Sequence, residues 1–453
     1  MSSNSDFITS FLNVKSDDIE EYDIKHINDN VFVDIKLKRK KCSCELCGGK
    51  LIGHDTFNKT INHASLREHK CQIRYKANRY ICKECGKTTM EYNPFTFEKF
   101  KNSYSTIRNV MNYLSNLNYT LEMISNELNI STTQVNKYLD SYVIIPKRPL
   151  PESIGIDELH SPELSYKHAS YICVLVDNTS RTIYDVLGSR SKNYLSNRFT
   201  AINKEEREKV KYVTIDMWEP YKAVAKEAFP NCIVAVDPYH YIKHLCDGFN
   251  KLRINLMNQQ EYNSNSYYLL KKWHFLLDTD DVDLNNPKKY NRRFGCELNR
   301  GDIKEMILET FPTLKTAYYL KEDFREFVKT YSYEQAKAAY DDYLKAFIDE
   351  DIKEYYEFTE ILKKWKEEII NSFLRPYGDH KLSNALTEHI NGTIGTYLSV
   401  SRGITNFERF RKRVLFSLNP KINYSLTSHL KSDSYKKINQ EDHITRLKNN
   451  TKY

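Results

Sequence analysis

Cys44-Glu-Leu-Cys47 and Cys82-Lys-Glu-Cys85 are two paired-cysteine knuckles, each followed directly by a glycine, Gly48 and Gly86. A two-residue gap lets both thiolates of a knuckle face one ion, and glycine permits the tight turn that directs backbone N–H groups at sulfur. Two such knuckles make a closed four-thiolate set, the arrangement of a zinc ribbon. The expected ligand is therefore a structural zinc ion on Cys44, Cys47, Cys82 and Cys85, with no position open for catalysis. Cys42 and Cys71 are extra: either could substitute as a ligand, but single buried or surface cysteines are the preferred reading.

Carboxylates carry a second chemistry. Asp157 follows Ile154-Gly155-Ile156, and Asp216 follows Val213-Thr214-Ile215. An acid beside buried apolar strand is costly without a cation partner. Two of them on adjacent strands would suit a hard divalent cation, Mg²⁺ or Mn²⁺, which keeps positions open for water and phosphate. A pair of such ions about 4 Å apart fits phosphodiester cleavage. Turn roles are expected for Asp177 and Asp185. A third acid is required, and spacing alone does not single it out among the glutamates that follow.

Different elements must position the two sets. Residues 1–35 read as a strand or helix, and residues 36–100, with six of the ten cysteines, as short strands around a metal. Residues 101–148 are helical and close on Pro146 and Pro149. Within them one helix buries Leu121, Ile124 and Leu128. A turn at Asn129-Ile130-Ser131 follows, and Ser131 caps a second helix that buries Val135, Tyr138 and Leu139. A helix-turn-helix has this spacing, as does any short helical hairpin. In a helix-turn-helix, Thr132, Thr133, Gln134, Asn136 and Lys137 would face DNA. From residue 149, SIGIDEL, YICVLVD, TIYDVLGS, KYVTIDM and IVAVD are strands of a mixed α/β sheet. Helical periodicity then dominates to about residue 375 and resumes from Ser383 to Leu418. A polar tail, 421–453, ends a multidomain α/β chain.

The chain has 453 residues and a net charge of +8, unevenly spread. Between Lys36 and Arg108 stand seventeen Lys and Arg against six Asp and Glu, an excess that suits a polyanion. Arg74, Lys76, Arg79 and Lys83 fit phosphate contacts, or equally a solvated strand face. The apolar runs are far shorter than a membrane span. The opening residues carry neither a basic leader nor a long apolar stretch, so no signal peptide is expected. Grouped cysteines then fit a reducing cytoplasm, with a nucleoid-associated location for a DNA-binding chain.

Five segments occur in a fixed order: GIDE (Gly155–Glu158), DMW-x-PY (Asp216–Tyr221), D-x-x-H-x-x-K (Asp237–Lys243), SNA-x-TE-x-x-N (Ser383–Asn391) and NFERFR (Asn406–Arg411). Together they resemble the IS-L-three family of insertion-sequence transposases, which also has a cysteine ribbon and a helix-turn-helix ahead of them. The resemblance implies a ribonuclease-H-like DDE core over 149–420, interrupted by a helical insertion at about 244–375. It implies that Asp157, Asp216 and Glu388 hold two Mg²⁺ or Mn²⁺ ions, with Asp237, His240 and Asn391 positioning the site or the DNA. Where the family has glycine and then basic residues after the glutamate, this chain has His389, Gly392, Thr393 and Gly395. DNA contacts are therefore expected at Arg402, Arg409 and Arg411, among others. The implied activity is binding of terminal inverted repeats, strand cleavage and transfer to target DNA, by a homo-oligomer. The alternatives are a catalytically inactive DNA-binding regulator derived from such an element, and a structure-selective nuclease.

Overall fold

The computed structural model describes residues 11–12, 14–38, 43–66, 69–91, 93–96, 101–166, 170–279, 282–401 and 403–426. Cys42, Arg402 and the tail from 427 lie outside the described residues. The chain divides into two compact units, one of residues 1–147 with 394–453, the other Arg148–Thr393.

In the first unit, β1 (Ile19–Ile27) and β2 (Asn30–Leu37) pair antiparallel; β3 (Leu51–Leu66) and β4 (His69–Cys82) pair antiparallel, and β5 (Thr88–Met90) adds to β4. Parallel pairing of β2 with β4 joins them in the order β1-β2-β4-β3. Alternation decides which face is buried. Val31, Val33, Ile35 and Leu37 on β2, and Cys71, Ile73, Tyr75 and Ala77 on β4, build one core with Ile61 and Phe95. The strands over 36–100 were expected to be short, yet β3 and β4 run for 16 and 14 residues. The polar sequence of β3 hides it, because Ile52–Asn58 are exposed on both faces and, among its described side chains, only Ile61 and His63 are buried.

Three helices follow: α1 (Tyr104–Leu114), α2 (Leu121–Leu128) and α3 (Thr132–Tyr142). Ser103, Thr120 and Ser131 cap them with side-chain oxygens, and Asn129 ends α2 in the left-handed conformation at φ 52°. Ile124, Leu128, Val135, Tyr138 and Leu139 are buried.

The second unit is built on a sheet of β6 (Ser153–His160), β7 (Tyr171–Asp177), β8 (Thr182–Leu187), β9 (Tyr212–Ile215) and β10 (Ile233–Val236). Its order is β10-β9-β6-β7-β8, with β6, β9 and β10 parallel and the β6-β7-β8 edge antiparallel. α4 (Lys192–Thr200) and α5 (Glu219–Ala228) pack on one another, and α6 (Pro238–Asn258) leaves β10 directly. A helical stretch follows, of α7 (Asn265–Lys272), α8 (Arg300–Thr310), α9 (Pro312–Thr330), α10 (Tyr333–Asp349), α11 (Tyr356–Lys364) and α12 (Lys366–Asn371). It contains a hairpin, β11 (Lys289–Asn291) with β12 (Cys296–Leu298), where helical structure alone was expected. Sheet and helices share one apolar core from Leu150 to Phe373. Asp177 makes the expected turn, accepting from Thr179 and Ser180, whereas Asp185 does not: it lies buried within β8.

α13 (Ala385–Val400) returns to the sheet, and α14 (Phe407–Leu418) belongs to the first unit, so the second unit ends well before residue 420. The reason is Arg413. Its buried guanidinium donates to the carbonyls of Tyr113, Asn116 and Tyr119, closing the loop between α1 and α2. Among the described residues, no helix is long and apolar enough to cross a membrane.

The start of α13 approaches β6 because Gly155 has no side chain. A Cβ there would lie 2.5 Å from Thr387 Oγ1, with Asn178 and Asn384 at 3.3 and 3.4 Å. Gly155→Ala should therefore destabilise the protein by roughly 1–3 kcal/mol. Chemical denaturation would show this, and an unchanged midpoint would contradict the packing.

Candidate metal centres

The four knuckle cysteines meet where β3 and β4 are joined in register, Leu51 opposite Cys82. Each knuckle closes alike: Gly48 N–H donates to the Cys44 carbonyl at 2.8 Å, and Gly86 N–H to that of Cys82 at 3.1 Å. Both glycines have positive φ, 72° and 70°. Sγ atoms of Cys44 and Cys85 are 3.6 Å apart, those of Cys47 and Cys82 3.5 Å, and all four lie within 4.8 Å of one another. A tetrahedral zinc–thiolate site with bonds of about 2.3 Å has sulfurs about 3.8 Å apart, so the donor set fits zinc. Backbone N–H groups of Cys47 and Leu46 hold the Cys44 thiol down at about 7. Cys47 receives the Gly49 N–H, but the sulfurs of Cys85 and Cys82 push it up to about 12. Four thiolates cannot share this space without a cation. Cys71 lies apart, buried on β4.

The acids are set by strand register. Ile156 of β6 sits opposite Ile215 of β9, which sits opposite Val236 of β10. The next residues are Asp157, Asp216 and Asp237, so three aspartates stand level: Asp216 and Asp237 just past the carboxyl ends of β9 and β10, and Asp157 within β6 where that strand runs on beyond its pairing with β9. In open α/β sheets this is where ligands bind. Oxygens of Asp157, Glu158 and Asp216 all lie within 4.8 Å of one another. Burial first, and then the charge of Asp216, push the Asp157 carboxyl up to about 8.

Asp237 takes a different job. It caps α6, accepting from Tyr239 N–H at 2.7 Å, and accepts also from Asn384 N–H. That fixes His240 in the first turn of α6, with Nε2 2.8 Å from Asp216 Oδ1 and 3.7 Å from Glu388 Oε1. The imidazole thus stands between the second and third acids. Burial lowers its pKa, but contact with Asp216 and the charges of Asp216, Asp237 and Glu388 outweigh this and raise it above 6.5. Glu388 is raised by burial and then by Asp237, against the opposite pull of His240.

Asn391, one turn after Glu388 on α13, donates to Asp157 Oδ2 at 2.7 Å and to the Glu158 carbonyl at 3.3 Å. Asn384 donates to the Ile156 carbonyl at 3.0 Å. Sequence reasoning missed Glu158, Asn384 and Arg190. Glu158 receives the Tyr221 hydroxyl at 2.8 Å and the Arg190 guanidinium, which lies over the Tyr171 and Trp218 rings at 3.8 and 4.7 Å. Glu158 and Tyr221 stand inside quoted motifs, which was the available signal; Arg190 had none.

The residues expected at DNA divide. Thr132, Thr133 and Lys137 of α3 are exposed, and Gln134 and Asn136 half-buried. Arg409 is bound to Asp140 at 2.8 Å, and Arg411 approaches Glu408. Arg74 and Arg79 present their forks to Asp34 and Asp55 and stack on Phe32 and Phe57.

Residues 154–414, more than half of the chain and spanning all the acids above, match a family model described as "Transposase", of the IS-L-three DDE type. The chain belongs to the IS-L-three transposase family. A curated relative, the transposase for insertion sequence element IS1001 of Bordetella parapertussis, is 20% identical over 384 residues, covering 83% of this chain and 88% of that one. Among solved structures, the simian T-cell lymphotropic virus intasome in complex with PP2A regulatory subunit B56 gamma aligns with 43% of this chain and 73% of its own. The identity is 14% and the TM-score 0.15, too low to bear on the fold. Transposases as a class bind DNA and cut and transfer its strands.

Two outcomes follow for the transposase. Replacing Cys47 or Cys82 with serine should remove one bound zinc per chain, read by metal analysis, and lower the melting temperature; a zinc-free wild type of equal stability would refute the site. The raised Asp157 keeps a proton in the folded state that the unfolded chain, with an ordinary value of 3.8, has lost. Stability without metal therefore falls as pH rises from about 4 through about 8. Mg²⁺ or Mn²⁺ should raise the melting temperature more at about pH 8.5 than at about pH 6, and Asp157→Asn should flatten that difference.

Proposed function

We propose that this chain is an active DDE transposase with a ribonuclease-H-like core, in which Asp157, Asp216 and Glu388 hold a pair of Mg²⁺ or Mn²⁺ ions. One observation carries this reading: Asp157 within β6 and Asp216 at the end of β9 stand side by side, and His240 spans from Asp216 to Glu388 on α13. Bound there, the ions would lower the pKa of the attacking group and offset charge on the scissile phosphate. The chain's own residues supply order. Asn391 fixes one oxygen of Asp157, Asp237 anchors both α6 and the approach to α13, and His240 sets the spacing between Asp216 and Glu388.

Glu158 is the rival third acid, because its oxygen lies in the same cluster. Its carboxylate, however, is already engaged by Arg190 and Tyr221, whereas Glu388 faces only His240 among the described residues. We assign Glu388 as the ligand and Glu158 as the group that holds Arg190 beside the site. The helices α2 and α3 form the helix-turn-helix in this reading, with Thr132, Thr133 and Lys137 foremost at the DNA. Arg74 and Arg79 brace the ribbon sheet through their aspartates. The substrate is the terminal inverted repeats of the chain's own element, cut and then joined to target DNA by paired, oligomeric protein.

The test is strand cleavage of element-end DNA with Mg²⁺ or Mn²⁺. Asp157→Asn, Asp216→Asn and Glu388→Gln should each lower the rate by roughly 1000-fold or more, with DNA binding retained. Asn391→Ala should lose about 10- to 100-fold. Glu158→Gln with an effect as large as Glu388→Gln would exchange their roles. Specific binding without cleavage by the wild type under either metal would leave a DNA-binding regulator.

A further inference from the structure

The helical stretch of the second unit carries a surface that the acids do not use. β11 and β12 pair Lys289 with Leu298, Tyr290 with Glu297 and Asn291 with Cys296, and Gly295 turns the hairpin at φ 69°. Tyr290 is 65% exposed, unlike the many buried tyrosines of this chain. The hairpin, the end of α7 and the start of α8 enclose a cleft of about 740 Å³. Its lining interleaves aromatic Tyr268, Trp273 and Tyr290 with basic Lys272, Arg292 and Arg293.

The positive charge here is largely uncompensated. Arg293 donates to Asn263 and Asn265, all neutral oxygens, and lies 4.4 Å over the Tyr268 ring. Lys272 donates to the Tyr268 hydroxyl at 2.9 Å. Lys289 and Arg292 form no ion pair with a described residue, and Lys288 alone of the hairpin's cations meets an acid, Asp302.

An exposed ring beside free cations in one cleft is what an unpaired nucleic-acid strand requires. Bases stack on aromatic faces and phosphates meet Lys and Arg. A duplex would meet the cations but offer Tyr290 no base face. We propose that this cleft binds single-stranded DNA, holding a strand left unpaired near the element end. The proposal rests on the reading of the chain as a working transposase, but not on the assignment of its acids.

Binding is measured on the full chain without metal, by anisotropy of a labelled oligo(dT) of about twenty nucleotides and of a mixed-sequence duplex of equal length. Tyr290→Ala should weaken oligo(dT) binding roughly 5- to 50-fold and duplex binding less than about twofold. Lys289→Glu with Arg292→Glu, both at exposed positions, should weaken it further and reduce its salt dependence. An iodouracil-substituted oligonucleotide should crosslink within residues 268–303. Unchanged oligo(dT) binding by Tyr290→Ala, or equal losses for single strand and duplex, overturns the cleft. Cleavage of element-end DNA, scored in parallel, separates the two readings. Cleavage with Tyr290-independent binding sinks the cleft alone, and Tyr290-dependent binding without cleavage sinks the working-transposase reading while the cleft stands as a single-strand site.

Discussion

Two carboxylates, the buried Asp157 and the half-buried Asp216, stand level on neighbouring parallel strands, and their closeness is the constraint around which the second unit is arranged. Neither can move away, because each follows an apolar residue locked in strand register. Burial first, and the nearby charge of Asp216 second, push the Asp157 carboxyl far above the usual range, so in the absence of a cation a proton there offsets both. His240 Nε2 meets Asp216 from the other side at 2.8 Å. A divalent ion would offset both carboxylates at once. The geometry is thus strained towards binding, as expected where a fold trades stability for function.

That arrangement is completed from a distant part of the chain. α13 is pinned to β6 by Asn384 on the Ile156 carbonyl and by Asn391 on Asp157, and Gly155 makes room for Thr387. The polar atoms are not all matched: Asn384 Oδ1, Thr387 Oγ1 and Asn391 Oδ1 are buried without a hydrogen-bond partner among the described residues. Such unmatched acceptors beside paired acids mark a surface selected for what it holds rather than for packing alone.

The legibility of each feature in the sequence follows its locality. The cysteine knuckles declare themselves because spacing, glycine and ligand type all fall within a few residues. The caps at Thr120 and Ser131 are equally local. Asp157 and Asp216 were visible as acids after apolar runs, but their registry with Asp237 arises only when three strands pair. Glu388 could be named only through family resemblance, since no short-range pattern distinguishes it from other helical glutamates. The partners of Arg74 and Arg79 were hidden too, because Asp34 and Asp55 come from neighbouring strands. β11 and β12 escaped notice because three-residue strands, KYN and CEL, show no alternation.

The helical stretch between β10 and α13 is not energetically separate from the sheet. Its aromatic core, with Phe324, Phe327 and Phe358, is continuous with that of the sheet through Tyr241 and Leu245 of α6. Asn371 at the end of α12 donates to the Val234 carbonyl of β10 at 2.9 Å, and the hydroxyls of Tyr241 and Ser372 lie 3.3 Å apart. The chain therefore re-enters the sheet at a fixed place just before it forms α13. Glu388 can reach Asp216 only if that path is held, so loosening the helices acts on the acids without touching them. The same coupling gives the hairpin cleft a rigid mount in the unit that carries the acids.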